Sequence, residues 1–221
     1  ASILEGIAKR TKAFVRSDTL VFPRGRYTIA SDLTIPYGHV VVMEQGARIE
    51  IAAGASVMVQ GPLHVRGTKR NPVFIRAADD RAPFGSFAVV GDGTIEVRIE
   101  GLQMSGGGEG WINSVRASGM LAIHGAARTF LSDCIISGSH GEDLLNIKGG
   151  EVLLRDCVFE DGHADLVDLD RCTGRIEKCL FRNARGDANG DGLDVSASRI
   201  LVTSCAFSRL NDKGISVGEA S

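Results

Sequence analysis

The sequence is poor in aromatic residues, carries no strong charge of either sign and has no long hydrophobic run. Aromatic residues make up 5% of the 221 positions, whereas 28 positions are glycine. With Val and Ile recurring throughout, this balance favours many short strands over helices. A formal net charge of -2 gives no general reason to expect binding to nucleic acid. No stretch approaches the roughly 20 apolar residues of a membrane helix, so no membrane insertion is predicted.

The cysteines do not indicate a fold held together by disulfide bonds. Five cysteines are present, an odd number, and no two of them form a Cys-x-x-Cys motif. The sequence therefore predicts neither a fully paired disulfide framework nor a cysteine-based metal or redox site. The spacing of the cysteines is more informative than their number.

Two short motifs repeat along the second half of the chain. The first is a cysteine followed by two apolar residues, and it recurs after 23, 22 and 26 residues, beginning at Cys134, Cys157, Cys179 and Cys205. The second is an alternating strand that follows each copy: Leu145-Asn146-Ile147, Val167-Asp168-Leu169, Leu193-Asp194-Val195 and Ile215-Ser216-Val217. A shared period of 20-odd residues is typical of a solenoid, in which each coil buries its face on its neighbours. The longer coil contains the extra segment ARGDANG, residues 184–190, which is predicted to bulge outward.

The upstream half supports the same fold through a family resemblance. The stretches IPYGHVVVMEQGARIEI and GPLHVRGTKRNPVFI resemble the opening coils of right-handed parallel β-helix proteins of the pectate-lyase-like superfold. GDGLDVSASRILVTSCAF and NDKGISVGEAS resemble later coils, in particular those of β-helix modules beside spore-coat-protein-H-like kinases in bacterial surface proteins. The resemblance implies an all-β, right-handed parallel β-helix at the cell envelope or outside the cell. Such helices host lyases, hydrolases, adhesins and passive spacers alike.

The two ends of the predicted solenoid differ. Residues 1–19 form a predicted amphipathic capping helix with Ile3, Leu4, Ile7, Ala8 and Phe14 near one face, or alternatively a linker. Residues 20–221 form the predicted β-helix, with the clearest repeats in 121–221. The last coil has no comparable cap, so we expect either that it is cut from a longer solenoid or that it meets a partner, including end-to-end self-association.

Stacking converts the repeat into rows of side chains on one outer face. Equivalent residues of neighbouring coils lie about 4.8 Å apart in a parallel sheet. The first predicted outward row is Ala122, Asn146, Asp168, Asp194 and Ser216, and the second is His124, Lys148, Asp170, Ser196 and Gly218. Two carboxylates one coil apart, such as Asp168 and Asp194, cannot both ionise without cost, so they are expected to share a proton or a cation.

This acidic face suggests a site, with a plain structural alternative. Asp165, Asp168, Asp191 and Asp194 are candidate Ca²⁺ ligands, because Ca²⁺ prefers several carboxylate oxygens. Asp168, Asp194 and Lys148 are the candidate catalytic residues, with Arg171 as an alternative carboxylate clamp. His124, Asn146 and Asp170 are candidate binding residues. The alternative is a solvated row of Asp and Asn that tolerates turns and keeps the sheet soluble.

Trp111 and the cysteines complete the set of candidates. Trp111 follows a glycine-rich run and is either an exposed platform for stacking a sugar or a buried plug. The repeating cysteines are predicted to form an interior or turn-lining ladder of free thiols. Cys172 lies outside that ladder and is the cysteine expected to be exposed.

These observations support three alternatives for function. The leading hypothesis is an extracellular or cell-envelope module that binds polysaccharide or presents a surface without catalysing a reaction. The second is a Ca²⁺-dependent lyase or epimerase acting on a uronate-containing glycan. The third is a structural spacer or filament subunit joined end to end.

Overall fold

The computed structural model describes residues 2–186 and 190–218 and contains one helix and 25 strands in that part of the chain. The strands form a parallel β-solenoid of about 8 turns, which confirms the predicted fold class. Each complete coil visits three faces, here called sheets I, II and III. No helix in the described ranges is both long and apolar enough to cross a membrane. The predicted bulge at 184–190 includes residues 187–189, which lie outside the described residues.

The strand bounds follow the order in which the coils stack. Sheet I comprises β4 (Leu33–Ile35), β7 (Val57–Val59), β10 (Phe87–Val90), β15 (Gly119–His124), the first part of β18 (Asp143–Arg155), the first part of β20 (Asp165–Glu177), β22 (Leu193–Ser196) and β25 (Ile215–Val217). Sheet II comprises β2 (Thr19–Phe22), β5 (Val40–Glu44), β8 (Leu63–Arg66), β11 (Glu96–Glu100), β16 (Arg128–Ser132), the later parts of β18 and β20, and β23 (Arg199–Thr203). β1 (Phe14–Arg16) pairs antiparallel with β2.

Sheet III and one inserted hairpin complete the strands. Sheet III comprises β3 (Gly25–Ile29), β6 (Ala47–Ile51), β9 (Val73–Ala77), β12 (Leu102–Ser105), β17 (Ile135–Ser137), β19 (Val158–Gly162), β21 (Leu180–Ala184) and β24 (Ala206–Leu210). The hairpin joins β13 (Gly110–Ile112) to β14 (Val115–Ala117) by antiparallel pairing. It interrupts the coil between β12 and β15.

The cysteine motif marks the corner between sheets II and III. The residue before each cysteine has a left-handed backbone: Asp133, Asp156, Lys178 and Ser204, with φ of 56°, 53°, 53° and 55°. Each cysteine Sγ then donates to the carbonyl two residues earlier, at 3.2–3.4 Å. The side chain is small enough to fill the inside of the corner, so the predicted ladder of free thiols is confirmed.

Cys172 is buried, and the prediction that it is exposed is wrong. It repeats the same corner geometry at a different place, between sheets I and II. Arg171 supplies the left-handed residue with φ of 53°, and Cys172 Sγ donates to the carbonyl of Asp170 at 3.3 Å. Because β20 runs through this corner without a break, the thiol turns inward rather than outward.

The aromatic residues of the repeat form an interior stack. Phe159, Phe181 and Phe207 occupy equivalent positions two residues after a cysteine, and their rings are 5.3 Å and 4.7 Å apart. They belong to, or pack against, one continuous core that runs the length of the solenoid. Stacked aromatic rings add to the burial energy of such a core.

Helix α1 (Ile3–Thr11) packs over the first coils, as predicted for a cap. Ser2 and Glu5 form a capping box, in which the Ser2 hydroxyl accepts from the Glu5 amide and the Glu5 carboxylate accepts from the Ser2 amide. Leu4 and Ile7 are buried in the core. Ile3 and Phe14, however, are 65% and 58% exposed, so their predicted place on the buried face is wrong.

The last described coil leaves apolar side chains uncovered. Ile200, Val202, Ile215 and Val217 line an apolar depression of about 550 Å³ beside β23 and β25. Self-association through this coil stays a prediction.

Candidate functional site

A single row of side chains runs along the outer face of sheet I through eight coils. Strand register places the predicted outward residues in one row, which confirms the stacking inferred from the repeat. From first to last, the row is Thr34, Met58, Ala88, Ala122, Asn146, Asp168, Asp194 and Ser216. The row changes from small or apolar residues to polar and acidic ones at Asn146. The second predicted row also aligns, with His124, Lys148, Asp170 and Ser196 in register.

The inserted hairpin covers the apolar half of this row. Ala117 of β14 packs with Ala88 and Ala122 in a small cluster separate from the main core. At the tip, Asn113 Nδ2 donates to Thr34 Oγ1 at 3.0 Å, which ties the hairpin to β4. Covered in this way, the outward-facing Met58 is as buried as a core residue.

The acidic half of the row forms the floor of an open groove of about 480 Å³. Seven residues with carboxyl groups line it: Glu142, Asp143, Asp165, Asp168, Asp191, Asp194 and Asp212. The three basic lining residues are Arg116, Lys148 and Lys213, and the uncharged ones are Ser118 and Ser216. Arg116 lies on the hairpin, so the hairpin forms one wall of the groove.

Each basic side chain of the groove is already paired with acids. Arg116 Nη2 contacts Glu109 Oε2 at 2.7 Å and Glu142 Oε2 at 2.8 Å. Lys148 Nζ lies 3.1 Å from Asp170 Oδ2. The structure therefore places the predicted catalytic Lys148 in the groove, with the predicted binding residue Asp170 as its partner.

Lys213 belongs to the same pattern at the far end of the groove. Its ammonium group binds Asp212 and lies 3.8 Å from Asp191 Oδ2. The hydrogen bond to Asp212 is the main cause that raises the pKa of Lys213 above its ordinary value.

A chain of hydrogen bonds connects three neighbouring coils beneath the groove. His124 Nε2 lies 2.7 Å from Asn146 Oδ1, and Asn146 Nδ2 donates to Asp168 Oδ2 at 2.6 Å. Asn146 is completely buried, although its side chain points outward from sheet I. Because it is buried, Asn146 does not belong to a solvated row of Asp and Asn, which is the structural alternative stated from the sequence. Burial also lowers the pKa of His124.

Several carboxyl groups of the groove hold their protons more tightly than usual. Burial, followed by the charges of Asp143, Asp170 and Asp194, raises the pKa of Asp168 to about 8. Burial is also the main cause that raises the pKa of Asp143 to about 7 and that of Asp165 to about 6. A buried carboxyl beside other carboxylates favours its neutral form. The environment of Asp168 therefore favours its protonated form.

The predicted calcium ligands are split between two roles. Asp165 Oδ1 accepts from the Asp191 amide at 2.9 Å, and Asp191 Oδ1 accepts from the Lys213 amide at 2.7 Å. Asp165 and Asp191 therefore link successive coils through backbone amides, whereas Asp168 and Asp194 lie opposite each other on β20 and β22. Over the described ranges, no group of three or more His, Cys, Asp or Glu side chains is placed to hold a metal ion. Calcium at Asp165, Asp168, Asp191 and Asp194 stays a prediction.

Trp111 lies exposed on β13 of the hairpin rather than in the core. It is 66% exposed, which shows that the alternative of a buried plug is wrong. Trp111 faces Arg116 directly across the hairpin. Opposite residues of an antiparallel pair share one face, so the indole lies on the side of the hairpin that carries the groove-lining Arg116. Stacking of a sugar on Trp111 stays a prediction.

The hairpin and its contribution to the groove were missed by reasoning from the repeat. Arg116 and Ser118 fall in or beside the insertion, where the periodic motif is interrupted, and Glu142 of the next coil contacts Arg116. The sequence carries a weak signal for this hairpin, because Asn113 and Ser114 lie between apolar residues. In the structure these two residues adopt φ of 49° and 62°. Two consecutive residues with positive φ are typical of a tight hairpin turn.

No protein-family model, curated protein or solved structure matches this chain.

Proposed function

We propose that the groove on sheet I binds a glycan, in a module located outside the cell or at the cell envelope. The observation that carries this proposal is the open polar groove of about 480 Å³, together with the exposed Trp111 on the same face of the hairpin as the groove-lining Arg116. Glycan sites combine polar groups that bind hydroxyls with an aromatic face that packs on the sugar ring. The extracellular location rests on the resemblance to right-handed β-helix modules of bacterial surface proteins.

The groove fits a chain-like ligand because its walls come from many coils. Its lining extends from Ser118, just before β15, to Ser216 in β25. Four successive strands of sheet I, β18, β20, β22 and β25, spaced about 4.8 Å apart, therefore contribute to one depression. A polymer that crosses these strands would meet equivalent polar residues at regular intervals.

Trp111 offers a direct test because it is the single tryptophan of the chain. Xylohexaose, mannohexaose, chitohexaose and hexagalacturonate are titrated with and without Ca²⁺ while tryptophan fluorescence and heat of binding are recorded. We expect at least one hexaose to quench the fluorescence. Trp111→Ala should then weaken binding about tenfold, as measured by calorimetry, through loss of the aromatic face.

The matched control is Tyr37→Ala, which removes another exposed aromatic side chain, 53% exposed, outside the groove. It should leave the affinity unchanged. The double variant Asp168→Ala/Asp194→Ala should abolish binding. Failure of all four hexaoses to bind, or binding that none of these groove substitutions alters, would contradict the proposal.

A second candidate function is acid–base catalysis on the bound glycan. The observation in its favour is that Asp168, whose pKa is raised by burial, lies directly opposite Asp194 on the adjacent strand. A pair of carboxyl groups can act as acid and as base or nucleophile in glycoside hydrolysis. Release of reducing ends would support hydrolysis, and absorbance from unsaturated products would support a lyase with Lys148 as base. Asp194→Asn should abolish either activity.

A further inference from the structure

The charge of the chain is divided unevenly along the solenoid. Residues 1–81 contain 12 basic and 7 acidic residues, whereas residues 82–221 contain 13 and 20. The net charge of -2 therefore combines a basic first part with an acidic remainder. The summed field of the first part attracts anions, and the attraction is largest where nearby acids do not neutralise the basic side chains.

Five exposed arginines of the basic part lie together on sheet III and at the corner that leads into it from sheet II. Arg26 and Arg48 are aligned on β3 and β6, and Arg76 follows on β9. Arg24 directly precedes β3, and Arg70 lies in the turn before β9. Neighbouring strands are about 4.8 Å apart, so three successive coils bring these side chains onto one surface. We call these five residues the basic corner.

Gly46 allows Arg24 to reach across the coils of the basic corner. The backbone of Gly46 is left-handed, with φ of 78°, and a Cβ atom at this position would lie 3.2 Å from Arg24 Cγ and 3.1 Å from Asn71 Oδ1. The Arg24 side chain of the first coil and the Asn71 amide of the third coil therefore meet above Gly46. Arg70 precedes Asn71, so the backbone brings it to the same corner.

One carboxylate serves two of these arginines and leaves three without an ion pair. Glu50 Oε1 lies 2.6 Å from Arg76 Nη2 and 3.6 Å from Arg26 Nε. Within residues 2–186 and 190–218, the other three arginines of the basic corner form no ion pair. This distribution is the opposite of that in the groove on sheet I, where acids outnumber cations and each cation is paired.

Phe74 holds Arg48 flat against the sheet. The guanidinium carbon of Arg48 lies 4.5 Å from the centroid of the Phe74 ring, which is the geometry of a cation–π contact. This contact orients the guanidinium group and leaves its in-plane N–H groups to bind an anion. It also covers the outer face of the ring, so the basic corner offers no bare aromatic surface.

The arrangement fits a tetrahedral oxoanion better than a carboxylate. A single guanidinium fork can bind both oxygens of a carboxylate, whereas the three terminal oxygens of a sulfate or phosphate ester can accept from two or three arginines at once. In the basic corner, arginines without an acidic partner come from three neighbouring coils, about 4.8 Å apart. Several of them can therefore bind the same ester group.

Two other kinds of polyanion fit this surface less well. Single-stranded nucleic acids stack their bases on aromatic side chains, and here Arg48 covers the ring of Phe74. A duplex needs about 600 Å² or more of protein surface, whereas the basic corner extends over three strands, about 10 Å. Membrane-surface binding combines basic with apolar side chains, and the large exposed hydrophobic residues of the described chain lie outside the basic corner.

We propose that the basic corner binds the sulfate or phosphate ester groups of an anionic glycan. Arg24, Arg48 and Arg70 bind the ester groups, because they have no acidic partner to release. This site is separate from the groove on sheet I, and it does not rest on the function proposed for that groove.

Paired probes test the chemistry of the ligand. A heparin hexasaccharide is compared by calorimetry with its desulfated form, which keeps the carboxylates, and a phosphorylated mannan fragment is compared with its dephosphorylated form. In at least one pair we expect the ester-bearing form to bind about tenfold more tightly or better, and its binding to weaken as salt is raised. Equal affinities within both pairs, or no binding by any probe, would overturn the proposal.

Substitutions test which arginines bind the ester groups. Arg24→Gln/Arg70→Gln should weaken binding of the ester-bearing probe about hundredfold, and Arg48→Gln about tenfold. Arg199→Gln removes the same charge from an exposed position of β23 and is the matched control, which should leave the affinity unchanged. Equal losses in Arg199→Gln and Arg48→Gln would overturn the location of the site.

Lysine substitutions separate recognition of the ester group from attraction by charge alone. Arg24→Lys/Arg70→Lys keeps both charges but removes the planar forks, so it should recover only part of the affinity. Full recovery would overturn recognition of the tetrahedral group by arginine. The melting temperature of each variant is measured alongside, and it should stay unchanged because the substituted side chains are exposed.

Two further measurements fix the location and the class of the ligand. Trp111 lies on the hairpin beside the groove on sheet I, so binding at the basic corner should leave its fluorescence unchanged. Quenching by the ester-bearing probe that persists in Arg24→Gln/Arg70→Gln would place the ligand in the groove instead. Short single-stranded DNA and phosphatidylglycerol vesicles are tested at the same salt concentration, and tighter binding of either than of every glycan would overturn the proposed class.

Discussion

Asn146 and Asp168, aligned on adjacent strands, are joined by a 2.6 Å hydrogen bond at the point where sheet I passes from covered to open. Before Asn146 the outward row consists of small or apolar residues, and Ala88 and Ala122 pack against the hairpin. After Asn146 it is acidic and lines the groove. The buried amide connects these two environments because both of its polar groups are satisfied, one by His124 and one by Asp168.

The first prediction concerns the dependence of stability on pH. The pKa of Asp168 is raised to about 8 in the folded protein, whereas an unfolded aspartate titrates near pH ~4. Between these values the folded state binds a proton that the unfolded state has released, so stability falls as pH rises through this window. Asp168→Asn should therefore raise the free energy of unfolding by about 2 kcal/mol or more at pH 8.5 and leave it nearly unchanged at pH 4.

Urea unfolding at several pH values measures this effect, and Asp92→Asn is the control. Asp92 is exposed, and hydrogen bonds from Thr94 lower its pKa. Asp92→Asn should not raise the free energy of unfolding at pH 8.5. If the free energies of unfolding of Asp168→Asn and the original protein differed by the same amount at every pH, the prediction would be contradicted.

The second prediction concerns the buried amide itself. Asn146→Leu keeps the approximate size of the side chain but leaves His124 and Asp168 without their partner. We expect a loss of about 2–3 kcal/mol in the free energy of unfolding, because two partly buried polar groups lose hydrogen bonds. Gln103→Leu, at a half-buried outward position of β12, should change it by less than about 0.5 kcal/mol. Similar effects of the two substitutions would argue against the importance of the hydrogen-bond chain.

The repeat allowed the register of sheet I to be predicted residue by residue. A fixed period and strict alternation leave one alignment that keeps Leu145, Val167 and Leu193 in the core. This alignment brings Asp168 next to Asp194. It could not reveal that the outward-pointing Asn146 is completely buried. The same alignment predicts that Asp168 and Asp194 share a proton or a cation, but not that burial is the main cause that raises the pKa of Asp168.

Cys172 illustrates a different limit. A left-handed residue followed by cysteine forms the corner at Cys134, Cys157, Cys179 and Cys205, and Arg171-Cys172 repeats this arrangement at another corner. The local rule was visible only after the backbone angles were known. Spacing alone placed Cys172 outside the ladder and so wrongly suggested exposure.

The third prediction follows from the environment of the thiols. Burial raises the pKa of Cys172 to about 11. Hydrogen bonding to Cys134 is the main cause that raises the pKa of Cys157, and hydrogen bonding to Cys157 is the main cause that raises the pKa of Cys179. Because the thiolate is the reactive form, these thiols should resist a disulfide reagent at pH 8. Cys205 is the one partly exposed cysteine of the five, so one thiol should react quickly and four only after unfolding.

Absorbance of the released thiol measures the rates. Cys205→Ser should eliminate the fast phase, whereas Cys172→Ser should leave it intact. A fast phase that disappears in Cys172→Ser would show that the corner at Arg171 opens in solution.

The fourth prediction is that the hairpin can detach while the solenoid stays folded. Ala117→Glu places a carboxylate against Ala88 and Ala122, where no cation compensates it within this small apolar cluster. Burial of an unpaired charge costs several kcal/mol, more than the contacts of a short hairpin provide, so the hairpin should lift away instead. The core beneath sheet I is separate from this cluster, and the solenoid should still unfold cooperatively.

Hydrogen exchange distinguishes detachment of the hairpin alone from loss of structure in sheet I. Amides of 110–117 should exchange much faster in Ala117→Glu, while those of β18 and β20 stay protected. Trp111 fluorescence anisotropy should fall, and glycan affinity should decrease because the wall that carries Arg116 and Trp111 is displaced. Ala117→Ser, which adds one hydroxyl without charge, is the control and should preserve protection of the hairpin. Loss of protection throughout β18 and β20 in Ala117→Glu would instead mean that the hairpin is an integral part of the fold, and that sheet I depends on its cover for stability.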